Sequence, residues 1–381
     1  MMRLLPSAPT SGRVMLLCGA LSVVGCGSGP DPAAQTTAFP GPPAEAAPGD
    51  EAPQTINDSA VASESADREP TATESAPADP LDPGGVVDIT GVNLVSTDAN
   101  CSTRTGEYSS MVIDVSNGNE FQGELSITAD AGTCTLVSNQ IPNHDISVDA
   151  DFANDASAVT GAFSITDDPT VNAEPTELGF TAHAVMLNGV IWEAYPAACF
   201  DEGPNPIGRE AVGCGGNLLD HPWRYNVGSP ENAFSLDAFS AHVQPDGLYH
   251  YHSTPQALYE IDCNGTAASP VIGFARDGFP IYGPCFADDN GSIRAAQSGY
   301  ELQTGVRAEV VGFTTPYAVG NVTSSDYNGQ FIGDYTFSGS GDLDECNGMI
   351  VDGQYGYYVT GAYPYVIACY RGTPSETFGP P

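Results

Sequence analysis

Short runs in which apolar and polar residues alternate follow one another along most of the chain. Examples are "SSMVIDVS" and "GELSITAD", which are rich in β-branched residues and are separated by "NGN". Alternation with a period of two places successive side chains on opposite faces of a strand. No stretch carries a long apolar stripe with a helical period, and 43 Gly and 31 Pro are spread over the whole length. The pattern predicts a mainly β domain with long loops.

The first 84 residues lack this alternation. Arg3 and Arg13 precede "VMLLCGALSVVG", an apolar run that is too short to span a membrane. It ends in "VVGC", which resembles the end of a bacterial lipoprotein signal peptide. The resemblance implies removal of residues 1–25 and a lipid anchor on Cys26, with an ordinary secretory signal as the alternative. Either reading predicts an exported protein, and the first predicts a membrane-anchored lipoprotein of the bacterial cell envelope.

Residues 26–84 are rich in Pro, Ala, Ser, Thr and acidic residues and contain few large apolar side chains. Such a segment cannot bury enough apolar surface to offset the entropy lost on ordering, so we predict a disordered tether. We assign residues 85–375 to a single β-rich domain and 376–381 to a tail.

Eight cysteines remain after Cys18 in the signal and Cys26 at the anchor. An even number in an exported chain favours disulfides, and the lack of a C-x-x-C spacing argues against a zinc site built from cysteines. Sequence leaves the connectivity open, and we expect sequential pairs: Cys101 with Cys134, Cys199 with Cys214, Cys263 with Cys285, and Cys346 with Cys369.

The net charge is −38, with 48 acidic residues against 10 basic ones. This excess predicts no nucleic-acid partner and no direct electrostatic docking on anionic lipid, so membrane contact would come from the lipid anchor. Any protein or small-molecule partner stays unidentified.

The chain repeats itself. Residues 246–263, "DGLYHYHSTPQALYEIDC", match residues 352–369, "DGQYGYYVTGAYPYVIAC", at eight of eighteen positions. With one gap the similarity extends upstream, and we predict two related β units at 235–263 and 342–369 in one domain. The tyrosines recur in the second unit, whereas the histidines of the first do not.

Three histidines in the first unit form a candidate metal site. His250 and His252 share one strand face and Tyr249 and Tyr251 the other. The turn at "PDG" would fold His242 back beside them. Three imidazoles suit zinc or copper, and an added carboxylate would suit zinc or iron. The alternative is a solvated strand face.

Further residues complete this hypothesis. His144, in the turn "PNHD", is a candidate fourth ligand. Asp277 and Asp246 are candidates for carboxylates that orient a ligand histidine, although for Asp277 we favour a structural role in a hairpin turn.

The segments "AHVQPDGLYHYHSTP" and "PVIGFARDGFPIYGP" resemble the YHYH-domain family of exported bacterial proteins. "SNQIPNHD", "VMLNGVIWE" and "YGYYVT" are also similar to recurring segments of that family, over roughly residues 134–372. The resemblance implies a shared fold and marks the histidines as a family feature. It implies no particular reaction.

Three functions remain open. The first, which we favour, is an envelope lipoprotein that binds copper or zinc through its histidines. The second is a metal-dependent hydrolase at the same site, with Asp246, Asp237 or Asp277 as the base. The third is a non-catalytic adhesion or carbohydrate-binding module, with calcium near residues 288–291.

Overall fold

The computed structural model describes residues 85–232 and 234–379. The signal segment, Cys26 and the tether lie outside the described residues, so those assignments stay predictions. The described part contains no α-helix, and none of its helical segments is long and apolar enough to cross a membrane. Its four short 3₁₀ helices are Cys101–Arg104, Gly216–Leu218, Gln256–Leu258 and Ile332–Asp334.

Nineteen strands make up the rest of the regular structure of the described residues. The first nine are β1 (Val86–Asp88), β2 (Gly106–Asp114), β3 (Asn119–Asp130), β4 (Thr133–Ser138), β5 (Gly161–Thr166), β6 (Thr176–Glu177), β7 (Ala184–Met186), β8 (Ile191–Trp192) and β9 (Ala241–Val243). The other ten are β10 (Tyr249–Tyr251), β11 (Val271–Ala275), β12 (Pro280–Tyr282), β13 (Cys285–Ala287), β14 (Ile293–Ala295), β15 (Tyr300–Leu302), β16 (Tyr335–Phe337), β17 (Gly348–Val351), β18 (Gln354–Tyr358) and β19 (Cys369–Tyr370).

Two larger sheets dominate this mainly β fold. One has five strands in the order β1-β2-β3-β4-β5, and the other has eight in the order β17-β18-β12-β11-β7-β8-β10-β9. Buried side chains of both sheets, such as Leu125 and Leu136 of the first and Val185 and Phe274 of the second, belong to one apolar cluster. The predicted fold class is confirmed.

The two halves of the eight-stranded sheet have the same strand arrangement. In each half an antiparallel hairpin (β7-β8 or β11-β12) is followed along the chain by a second hairpin (β9-β10 or β17-β18). The last strand of the second hairpin pairs in parallel with the last strand of the first, β10 with β8 and β18 with β12. Strands β7 and β11 join the halves at the centre. The duplication therefore includes the first hairpins, which the sequence comparison did not detect.

Hydrogen bonds at the base of each second hairpin show how closely the halves match. Asp237 Oδ1 accepts from the Ala241 N–H, and Asp344 Oδ1 accepts from the Gly348 N–H. The carboxyl groups of these aspartates also accept from Tyr249 and Tyr355, respectively. The aspartate and the tyrosine thus form a structural pair that both halves keep.

Four disulfides cross-link the described chain in the sequential order expected, Cys101–Cys134, Cys199–Cys214, Cys263–Cys285 and Cys346–Cys369. Ordered packing continues beyond residue 375, because Phe378 in the assigned tail is buried against Phe163 with 5.1 Å between ring centroids.

Candidate metal centre

The hairpin β9-β10 brings His242 and His250 together. These two residues are direct partners across the antiparallel pair. The turn between the strands closes through the Gln244 N–H donating to Leu248 O, and Gly247 supplies the positive φ of 92° that the turn requires. The predicted reversal of the chain at "PDG" is thus present.

The three imidazole rings converge through their Nε2 atoms. His252 Nε2 lies 2.9 Å from His250 Nε2 and 3.1 Å from His242 Nε2, and the ligand atoms of all three residues lie within 4.8 Å of one another. In a tetrahedral zinc site with bonds of about 2.0–2.1 Å, neighbouring ligand nitrogens are about 3.3–3.4 Å apart. Two of the spacings are slightly shorter than this and the third lies within 4.8 Å, so the three nitrogens fit one transition-metal ion after small movements of the rings.

The hydrogen bond at His252 Nδ1 determines which nitrogen of this ring carries the proton. Its Nδ1 lies 2.9 Å from the carbonyl oxygen of Glu193, which only accepts hydrogen bonds. The neutral ring therefore carries its proton on Nδ1 and presents the Nε2 lone pair to the other two rings. His250 Nδ1 faces the Leu248 carbonyl more distantly, at 3.4 Å. Backbone carbonyls that hold the Nδ1 side of an imidazole are typical of metal-ligating histidines.

Burial keeps the rings neutral. His250 and His252 are 1% and 4% exposed, so the solvated strand face considered from sequence is wrong. Desolvation lowers the pKa of His242 to about 4, and desolvation followed by repulsion from neighbouring rings lowers the pKa of His250 and His252 well below the usual value. Neutral imidazole is the form that binds a metal ion.

Glu193 is a member of the site that the sequence analysis missed. It follows β8 on the same sheet face as the triad, and its Oε2 lies 3.8 Å from His250 Nε2. Its Oε1 is buried without a hydrogen-bond partner. Burial, followed by repulsion from Asp246, raises the pKa of this carboxyl to about 8. Aligning "LNGVIWE" with "RDGFPIY" matches Glu193 to Tyr282 of the second half. This alignment would have placed Glu193 beside the histidines.

The site lies in a cleft of about 450 Å³. Histidines 242, 250 and 252 and Glu193 line one part of it. Apolar and aromatic side chains line most of the rest, among them Phe152, Phe180, Tyr195, Val212 and Phe234. A cleft of this size and character is typical of small-molecule sites.

The other face of β10 holds the tyrosines, as predicted, and also His144. Its Nε2 lies 2.6 Å from Tyr251 Oη, and its ring contacts that of Phe239 at 4.1 Å between centroids. The prediction of His144 as a fourth ligand is wrong. Strand alternation directs Tyr251 to the sheet face opposite the triad, and His144, which contacts Tyr251, is therefore separated from the triad.

Asp277 does not orient a triad histidine. It belongs to the second half, where its Oδ2 accepts from Tyr357 Oη at 2.6 Å and from the Gly372 N–H at 2.8 Å. Asp246 lies in the hairpin turn, where its Oδ1 accepts from the Leu248 N–H, and it acts on the site only through its charge near Glu193. Of the other candidate bases, Asp237 is bound to Tyr249 on the far face of the sheet.

The acidic loop at residues 288–291 has a structural explanation. Asp288 Oδ1 accepts from the N–H groups of Asn290 and Ser292, which closes a tight turn, and Asp288 Oδ2 lies 3.7 Å from Arg294 Nε.

The second half has an apolar cluster where the first half has the three histidines and Glu193. The register that pairs His242 with His250 pairs Met349 with Gly356, and Tyr282 pairs with Tyr358 where the first half has Glu193 and His252. The rings of Tyr282 and Tyr358 stack at 5.0 Å. A Cβ at Gly356 would lie 2.5 Å from the Tyr282 ring, so glycine leaves room for that ring. The second half has the same strand pairing without these histidines, so this pairing does not depend on histidine at these positions.

Comparison with known families gives one match. The model of a family described as "YHYH protein" matches residues 162–372, which is more than half of the 381-residue chain. The match begins at β5 and includes the whole eight-stranded sheet, whereas β1–β4 precede it. Neither the curated proteins nor the solved structures provide a match.

Proposed function

The chain belongs to the YHYH protein family, and we propose that it binds one transition-metal ion, zinc or copper, through His242, His250 and His252. The observation that carries the proposal is that His252 Nε2 lies 2.9 Å from His250 Nε2 and 3.1 Å from His242 Nε2 at the edge of the cleft. Where His252 Nε2 presents a lone pair to its neighbours, a cation among the three nitrogens compensates for their burial.

The donor set favours these ions. Neutral imidazole nitrogens suit zinc and copper, and they are poor ligands for calcium and magnesium, which prefer oxygen. Three protein ligands leave a coordination position open toward the cleft, as in catalytic rather than closed structural sites.

We place this activity outside the cytoplasm. The four disulfides support export, since such bonds persist in oxidising compartments. Lipid anchoring at Cys26 and the acidic tether stay part of the proposal on sequence grounds alone.

A metal-dependent hydrolase is the second candidate. Glu193 favours it, because an unpaired carboxylate oxygen beside an open three-histidine site is where a base for a metal-bound water belongs. An adhesion or carbohydrate-binding module has no specific contact in its favour.

The proposal is tested by metal content. The full-length protein, purified without a polyhistidine tag, is equilibrated with zinc or copper, freed of excess ion by gel filtration and analysed by elemental mass spectrometry. We expect about one ion per chain in the wild type and a loss of at least tenfold in the double variant His250→Ala, His252→Ala.

The matched control is His221→Ala, which removes a histidine that does not line the cleft. Its Nδ1 accepts from the Trp223 N–H. We expect it to retain the ion. A wild type that holds neither metal at micromolar concentration, or a double variant that holds as much as the wild type, overturns the proposal.

A further inference from the structure

The part of the cleft that the triad does not line has a mainly aromatic and apolar wall. Aromatic rings of Phe152, Phe180, Tyr195 and Phe234 line it. Arg224 fixes part of this wall, since its guanidinium lies 5.0 Å from the centre of the Tyr195 ring and donates to the Pro196 and Cys214 carbonyls. These contacts hold apolar surface in place around a cavity large enough for a small organic molecule.

Glu193 is the polar group that this surface surrounds. The residue is 3% exposed and lines the cleft, yet its Oε1 has no hydrogen-bond partner. Burying an acceptor without a partner costs about 1–3 kcal/mol, so an unpaired oxygen on a residue that lines a cleft favours a ligand that donates to it.

Charge limits the ligand class further. None of the described residues that line the cleft is Lys or Arg, and the carboxyl group of Glu193 lies within it. The side chains of the cleft therefore offer an organic anion no cationic partner, and only the proposed ion would provide one. An uncharged molecule needs no cationic partner and loses less solvation on entering an apolar cleft.

We propose that the cleft binds a small, uncharged aromatic compound with a hydroxyl group, which donates a hydrogen bond to Glu193 while the rings pack on the aromatic wall. The site rests on the proposed function in one respect, because the triad that would hold the ion lines the same cleft as Glu193. The second half supports the assignment: Tyr282, at the position of Glu193, stacks on Tyr358 and needs no external ligand.

Two neutral probes of nearly equal shape test the hydrogen bond. 2-Naphthol carries the hydroxyl, and 2-methoxynaphthalene lacks the donor. Equilibrium dialysis against the metal-loaded full-length protein measures both. We expect 2-naphthol to bind at least tenfold more tightly, since a site with a buried acceptor discriminates against a ligand that leaves it unpaired.

Two variants locate the binding. Val212 is half exposed and lines the cleft. The variant Val212→Trp fills the cleft with a larger side chain, so affinity for 2-naphthol should fall at least tenfold. Ile350→Trp is the matched control, because this exposed residue of β17 is not a lining residue, and its affinity should equal that of the wild type. In Glu193→Leu the preference for 2-naphthol over its methyl ether should disappear.

The outcomes separate the two proposals. A wild type that holds its ion but does not bind 2-naphthol at about 1 mM overturns the cleft assignment alone. Unchanged affinity in Val212→Trp, or an unchanged preference in Glu193→Leu, also overturns it. A wild type without the ion counts against the metal proposal, and dialysis of the metal-free chain then decides the cleft by the same comparisons.

Discussion

Removal of the hydrogen bond from Tyr249 to Asp237 tests whether the tyrosines of the motif stabilise the fold while its histidines form the proposed metal site. Tyr249 Oη lies 2.7 Å from Asp237 Oδ2, and both side chains are buried. The tyrosine faces away from the triad. We therefore predict that Tyr249→Phe destabilises the fold and leaves the metal content unchanged.

The magnitude follows from the type of bond. A hydrogen bond to a charged group contributes about 1.5–3 kcal/mol, and its removal leaves Asp237 with backbone N–H donors, those of Phe239, Ala241 and Ser147. We expect a loss of about 2 kcal/mol at pH 7.5. Tyr355→Phe is the matched control in the other half. Its hydroxyl lies 3.1 and 3.3 Å from the two Asp344 oxygens, so we expect a smaller loss, about 1 kcal/mol.

The loss should also depend on pH. Burial raises the pKa of Asp237 to about 6, against the opposing effect of the Tyr249 hydrogen bond. A carboxyl group whose pKa is raised on folding stabilises the folded state below its unfolded value, about 3.9, and loses that contribution as the pH rises through 6. The charged form needs the tyrosine most, so Tyr249→Phe should cost more at pH 7.5 than at pH 5.

Urea unfolding, followed by circular dichroism in the presence of a chelator, measures these losses without a contribution from the ion. Elemental analysis of metal-loaded samples gives the second readout. The reasoning is refuted if Tyr249→Phe costs less than Tyr355→Phe, if its cost does not change between pH 5 and 7.5, or if it empties the metal site.

Two further predictions concern buried groups outside the site. Desolvation lowers the pKa of His183 to about 4, so its contribution to stability is present above pH 6.5 and is lost as the pH falls toward 4. Urea titrations at pH 7 and pH 4 measure the free energy of unfolding. Between these two pH values it should fall by about 3 kcal/mol more in the wild type than in His183→Gln, and equal decreases in the two proteins would contradict this. Gly356→Ala places a methyl group 2.5 Å from the Tyr282 ring and should cost about 1–3 kcal/mol, whereas Gly361→Ala, with nothing within 4 Å of its Cβ, should cost less. Similar urea midpoints for these two variants would show that Tyr282 moves freely.

Local pattern was sufficient for the strands around the triad. Alternation in "YHYH" assigned the faces of β10, and the turn signal at Gly247 predicted the pairing that brings His242 to His250. The face assignment and the hairpin pairing both concern residues close in sequence. There, a period of two and a tight turn allow few arrangements of the chain. Sequential disulfides follow the same logic, since each joins cysteines at most 33 residues apart.

Contacts between distant segments were not predictable in this way. His144 reaches Tyr251 across 107 residues, and Asp277 reaches Tyr357 across 80. Each carries a plausible polar motif, but the motif contains no information about which sheet face it will meet. Both assignments failed for that reason, and Glu193 was overlooked because one acidic residue after an apolar run is unremarkable until β8 pairs with β10.

The sequence by itself determined the β class, the disulfide-bonded character and the grouping of His242, His250 and His252, because these depend on periodicity, composition and short-range turns. Tertiary structure alone decided which fourth polar group joins them and which cleft they face. Parallel pairing of β8 with β10 sets Glu193 beside His250, and loops from several parts of the chain supply the aromatic wall. Such contacts depend on the packing of segments far apart in the chain, and no local pattern encodes that packing.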